Sequence, residues 1–157
     1  MTKMDFIYKV RDIAASFLCN VNEIKALERV YFFYEPSKVD GVYGQTQIYF
    51  NQYPLCFAIF LACNNITHNM HLAFAVIHEL GHVLNAARHG RACDNMEHGP
   101  RWIKACSDMG LIVTQDDELS DATNPARYHP NLWRELNKLI NTMENTYAPH
   151  NLHTFTL

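Results

Sequence analysis

"HELGHVLNAARHGRACDNMEHGPRW", residues His78 to Trp102, decides how the rest of the chain is read. It sets two histidines four residues apart with a glutamate directly after the first, then adds His89 and His98. On an α-helix, residues four apart lie one turn above each other. His78 and His82 therefore present imidazoles on one face, at a separation a single ion can bridge. Zinc suits such a pair because it accepts neutral imidazole nitrogens and asks for little beyond tetrahedral geometry. Glu79, rotated by one residue, points to the open coordination position. There a carboxylate can take a proton from a zinc-bound water, whose pKa the metal lowers to roughly 7.

This is the H-E-x-x-H arrangement of the zincin metallopeptidases. With nine histidines in the chain, chance occurrence has to be weighed against it. Context argues against chance. "NMHLAFAVIHELGHVLNAARHG" (Asn69 to Gly90) is nearly continuous apolar from Leu72 to Ile77, then carries a polar stripe, and stops at His89-Gly90 as at a C-cap. Such a helix is expected to be central and buried, with Val76, Ile77, Leu80, Val83 and Leu84 on its core side. Two imidazoles and a carboxylate buried there without a partner would be costly. Gly81 costs about 1 kcal/mol relative to Ala inside a helix, which a close packing contact or a crowded site would justify.

Downstream, the polar "RACDNME" reads as a loop, and "HGPRWIKACSDMG" as a short helix with Pro100 in its first turn and Gly110 just past its end. A third ligand must come from this region. The metzincin spacing fails, because the position ten after His78 is Arg88 and His89 falls one residue late. Glu97 sits in the loop without helical context. Cys93 and Asp94 have ligand chemistry, but no spacing singles them out. His98 directly precedes the capped helix, where backbone geometry can hold it and return it to the first helix.

Upstream, Phe6, Ile7, Val10, Ile13, Ala14, Phe17 and Leu18 repeat at helical spacing, predicting a helix over 5–19. "NEIKAL" adds a short turn. "RVYFFYE" and "QTQIYFN", separated by the Pro- and Gly-bearing "PSKVDGVYG", read as an antiparallel hairpin with a loose loop. The apolar run from Leu55 to Ala62 fits a strand or a buried helix equally. Residues 111–130 read as a polar loop with little regular structure, and Leu132, Trp133, Leu136, Leu139, Ile140 and Met143 predict a last helix over 131–143. The expected fold is α+β: one zincin-like domain over 1–157, a small antiparallel hairpin or sheet on the buried motif helix, and flanking helices.

Composition sets limits on function. The 157 residues suffice for one domain with a core. The 48% hydrophobic and 18% charged content is globular. A net charge of −3 and a pI near 6.3 give no chain-wide basic field for nucleic acid. The longest apolar run, Pro54 to Cys63, is about half a membrane span. The opening "MTKMDFIYKVRD" carries charges where a signal peptide needs an apolar stretch. No membrane partner and a cytoplasmic location are therefore expected. Five cysteines without a C-x-x-C pair argue against a disulfide framework and a zinc ribbon.

"HELGH", a 15-residue gap, "HGPRW" and then "MG" resemble the SprT-like zinc metalloproteases, whose signature is H-E-x-x-H, a loop, and H-G-x-x-aromatic. The resemblance runs over about 29–111, including the Gly-containing turn in "DGVYGQTQIYFN". It implies one Zn2+ per chain held by His78, His82 and His98, with Glu79 as the catalytic residue. It also implies a protein substrate, and it brings DNA in as a partner through members that cleave proteins crosslinked to DNA. This chain lacks the zinc-ribbon cysteines and basic tail of the fuller members, which puts DNA dependence in doubt. "HELGH" occurs as well in phage-repressor-cleaving peptidases, whose third ligand is a glutamate further on; this chain offers no good match for it.

Other features have simpler readings. Arg88, Arg91, Arg101 and Lys104 fit a solvated rim better than a phosphate-binding patch. Trp102 fits core packing better than base stacking. His71 lies seven before His78 and suits a surface or supporting role. His68, His129, His150 and His153 join no constellation. The acidic segment 116–121 reads as a solvated loop. Two functions follow: a zinc endopeptidase whose edge strand, such as "TQIYF", pairs with an extended substrate, or a metal-containing module that binds protein or nucleic acid with little turnover. The complete Glu79 favours the first, because a structural zinc needs no carboxylate there.

Overall fold

The computed structural model of the chain describes residues 1–93, 98–116 and 119–145. Within them lie five α-helices and one three-stranded sheet: α1 (Lys3–Ala15), α2 (Val21–Glu28), β1 (Val30–Glu35), β2 (Gly44–Tyr49), β3 (Cys56–Ala62), α3 (Asn69–His89), α4 (Pro100–Asp108) and α5 (Pro130–Asn145). The chain is thus a mixed α+β protein.

Local chemistry sets the helix ends. Thr2 and Asp5 form a reciprocal capping box that starts α1 earlier than the apolar pattern alone predicts. The helix then ends at Ala15, short of the expected residue 19. The Asn20 side chain accepts from the amides of Asn22 and Glu23, which turns the expected short turn into the two-turn α2. Pro100 opens α4, and Gly110 follows its end at φ 90°, a conformation other residues reach only with strain. Helix α5 exceeds the expected 131–143 by a residue or two at each end. Residues 111–130 hold more order than expected: two short 3-10 turns, Leu119–Thr123 and Pro125–Arg127, and a bridge between Leu111 and Tyr128. Residues 117 and 118 of the acidic segment lie outside the described part.

The sheet corrects the expected hairpin. β1 and β2 do not pair with each other; the order is β1-β3-β2, with β3 parallel to β1 and antiparallel to β2. The apolar run that fitted either strand or helix is the central strand. Its sequence, CFAIFLA, is apolar on both faces, and five of its seven residues are buried. Val30, Phe32, Phe57, Ile59 and Leu61 face the helices and are buried. Tyr31, 66% exposed, and the stacked Phe33–Phe60 pair lie on the opposite face.

Helix α3 runs through the centre, buried without interruption from Leu72 to Ala86. Helix α4 crosses it at Gly81. A Cβ there would collide with Cys106 Sγ and come within 2.8 Å of Trp102 Nε1. Gly81 therefore permits the close approach of the two helices, which offsets its poor helix propensity. Among the described residues, no helix is long and apolar enough to cross a membrane.

Candidate metal centre

His78, Glu79 and His82 come from consecutive turns of α3, and each is at least 96% buried. His98 is half-buried just before α4, whose N-cap is Gly99. One ligand nitrogen from each of His78, His82 and His98 lies within 4.8 Å of the others, close enough for the three to bind one metal ion. Helical spacing supplies the first two. The α3–α4 crossing supplies the third.

Trp102 forms the wall behind this cluster. Its ring stacks on His98 at 4.1 Å between centroids and on His82 at 5.3 Å, and its Nε1 donates to the His78 carbonyl at 3.2 Å. One side chain so fixes two imidazoles and the backbone of the third. On the opposite side Tyr43 Oη lies 3.4 Å from His78 Nδ1.

The donor set fits a divalent cation. His82 Nδ1 is buried and has no hydrogen-bond partner among the described residues, a costly state for an imidazole that serves packing alone. Burial, reinforced by the neighbouring His78 and His98, holds the His82 pKa down to about 3. His82 is consequently neutral at physiological pH, as a metal-binding imidazole must be.

Glu79 is held from β2. Thr46 Oγ1, itself buried, donates to Glu79 Oε2 at 2.5 Å and lies 3.3 Å from the Glu79 carbonyl. Gly44 leaves the space that the carboxylate fills, since a Cβ there would stand 2.8 Å from Oε1. Burial pushes the Glu79 pKa up, while His78 and the Thr46 hydrogen bond pull it back, with burial the stronger effect. A carboxylate raised in this way is a better proton acceptor than an exposed one.

A cleft of about 410 Å³ opens onto these groups, lined by residues 41–46 of the β2 approach, His78, Glu79, His82 and His98. β2 is an edge strand. Tyr43 O accepts from Ala62 N, and continuing the antiparallel alternation turns the backbone groups of Gly44, Thr46 and Ile48 toward the free edge.

The remaining sequence candidates stand elsewhere. His89 is exposed at the end of α3. Cys93 is buried, with its carbonyl accepting from Asn85 Nδ2, and is not in the cluster. Asp94 and Glu97 lie outside the described residues, as do His150 and His153. His71 packs edge-on to His68 at 5.1 Å and joins no ligand group. Sequence reasoning passed over Gly44, Thr46 and Tyr43. The available signal was a Thr at an inward position of β2, alternating with the exposed Gln45 and Gln47.

No family model, curated protein or solved structure matches this chain.

Proposed function

We propose that the protein is a zinc-dependent endopeptidase of zincin type, a compact relative of the SprT-like metalloproteases. The observation that carries this reading is the convergence of three imidazoles within 4.8 Å beside a buried glutamate fixed by a second element. Three neutral imidazoles leave a fourth position open, the donor set of catalytic rather than structural zinc. When bound, zinc supplies a Lewis acid that acidifies water and polarises a carbonyl.

The chain's own groups perform the rest. Extended substrate pairs with the free edge of β2, which sets its backbone beside Glu79. Glu79 takes the proton from the attacking water at a carboxylate oxygen and delivers it to the leaving amine nitrogen. Thr46 holds the carboxylate in one orientation, and Trp102 and α3 close the side of the histidines that faces away from the cleft. DNA has no assigned role in this reading. Of the basic residues near the site, Arg88 is bound to Glu23 and Asp108, Lys104 to Asp108, and Arg101 Nη1 to the Ala92 carbonyl at 2.6 Å.

Glu79→Gln keeps shape but accepts no proton at neutral pH. Zinc-loaded protein and this variant are compared on casein and on histone, with and without DNA. About one zinc per chain is expected in both, with cleavage reduced on the order of a hundred- to ten-thousandfold in the variant. Equal cleavage by both would overturn the role of Glu79. No cleavage by either would favour a metal-containing binding module. Stimulation by DNA that weakens steeply with salt would add an anionic scaffold to the reading.

A further inference from the structure

A second cavity, about 800 Å³ against about 410 Å³ for the metal cleft, lies between α2, the start of β3 and the C-terminal end of α3. Its volume is that of a small-molecule pocket. None of the candidate zinc ligands lines it. We propose that it is a binding site for a small organic carboxylate with an apolar body, anchored by Arg29.

Arg29 follows α2 as its C-cap, and its Nε donates to the Leu55 carbonyl at 3.1 Å. That bond fixes the plane of the guanidinium. The two terminal nitrogens have no partner among the described residues. With Nε occupied, they form the pair of parallel donors that matches the two oxygens of a carboxylate.

The surrounding charges favour an anion. Glu23 is a lining carboxylate, and Arg88 neutralises it through bonds of 2.9 and 3.1 Å. Arg88 is further bound to Asp108 at 2.7 Å, so Arg29 remains the cation presented to the cavity. The apolar body has its own surface in Leu55, Pro54 and Ala26. Tyr53, fully exposed at the same cavity, is a large ring that a ligand would cover.

The test uses the zinc-loaded full chain with 2-naphthoate as probe, its neutral isostere 2-naphthamide, and inorganic phosphate. Calorimetry should give one saturable naphthoate site with a Kd on the order of 1 mM or tighter. Naphthamide and phosphate should each bind at least about tenfold more weakly, since each lacks one of the two recognised features. Amide NMR shifts should centre on Ala26, Leu55 and Ala87. Arg29→Gln should weaken naphthoate about tenfold and leave naphthamide unchanged. Ala87→Trp, on the exposed surface of α3, should weaken both by filling the cavity. It carries the decision should Arg29→Gln not fold. Equal affinity for naphthoate and naphthamide, phosphate binding as tightly as naphthoate, shifts centred on His78–His98, or no binding up to about 10 mM would each overturn the assignment.

Discussion

In its middle, α3 buries His78, Glu79 and His82; two turns further on, the same helix carries Arg88, fastened between Glu23 of α2 and Asp108 of α4. At Arg88 each charge meets an opposite one, at 2.9 Å and 2.7 Å. The hydrogen bond to Glu23 holds the Arg88 pKa above its usual range against burial. Burial pushes Asp108 up, but hydrogen bonds from Lys104 and Arg88 outweigh it and keep the carboxyl low. Around Glu79 the balance is the reverse. The carboxylate is raised, and the buried His82 Nδ1 has no hydrogen-bond partner among the described residues. A cluster that ties helices together satisfies its own polar groups. The histidine cluster leaves one of its own open, as groups that can take up an ion do.

The largest effect expected from breaking this contrast is at the wall between the two helices. Trp102→Ala should cost about 3–5 kcal/mol in urea unfolding, because a fully buried indole is lost. Zinc content should fall with it, since His98 and His82 lose their stacking partner. Unchanged stability would show that α4 does not depend on this contact.

The next effect is that of the ion itself. Free zinc at a hundredfold excess over its Kd should stabilise the protein by about 2.7 kcal/mol, seen as a higher melting temperature that a chelator reverses. His98→Ala should erase this increment and His89→Ala should retain it. An undiminished increment in the His98 variant would move the third ligand to another residue.

Arg88→Met should cost about 1–3 kcal/mol, because Glu23 loses its counter-charge and Asp108 keeps only Lys104. Its zinc-dependent increment should equal that of the wild type. If zinc binding also fell, the two clusters would be one coupled unit. Smallest is His82→Leu, measured without metal. Replacing a buried imidazole whose Nδ1 has no partner among the described residues by an apolar side chain should leave stability within about 0.5 kcal/mol of metal-free wild type or raise it. A loss of several kcal/mol would mean that His82 serves the core.

Legibility from sequence followed the range of the interactions concerned. The motif helix could be read to within a residue, since its apolar run, its Gly90 end and its histidine spacing are all local. His98 was legible from its place before a Pro-capped helix, and Gly81 from its local cost. The strand order was not legible. A fully apolar run such as Cys56–Ala62 carries no periodicity to mark it as strand, let alone as the one that separates β1 from β2. Thr46 and Gly44 were hidden for the same reason. Their contact with Glu79 exists only once the register of β2 is known, and no spacing along the chain encodes it.

The site also has an internal order of robustness, set by chain entropy. His82 and His98 are 16 residues apart, whereas Thr46 reaches Glu79 across 33. Each doubling of a closed loop adds about 0.6 kcal/mol to the cost of closure. The imidazoles are gathered by a helix pair that is local in sequence, and the glutamate's support arrives on an edge strand from a distant part of the chain. By chain entropy alone, the Thr46–Glu79 contact is therefore the more costly of the two to close, by about 0.6 kcal/mol. An opening of the sheet edge that removed Thr46 would leave the three imidazoles together, because they depend on the α3–α4 pair.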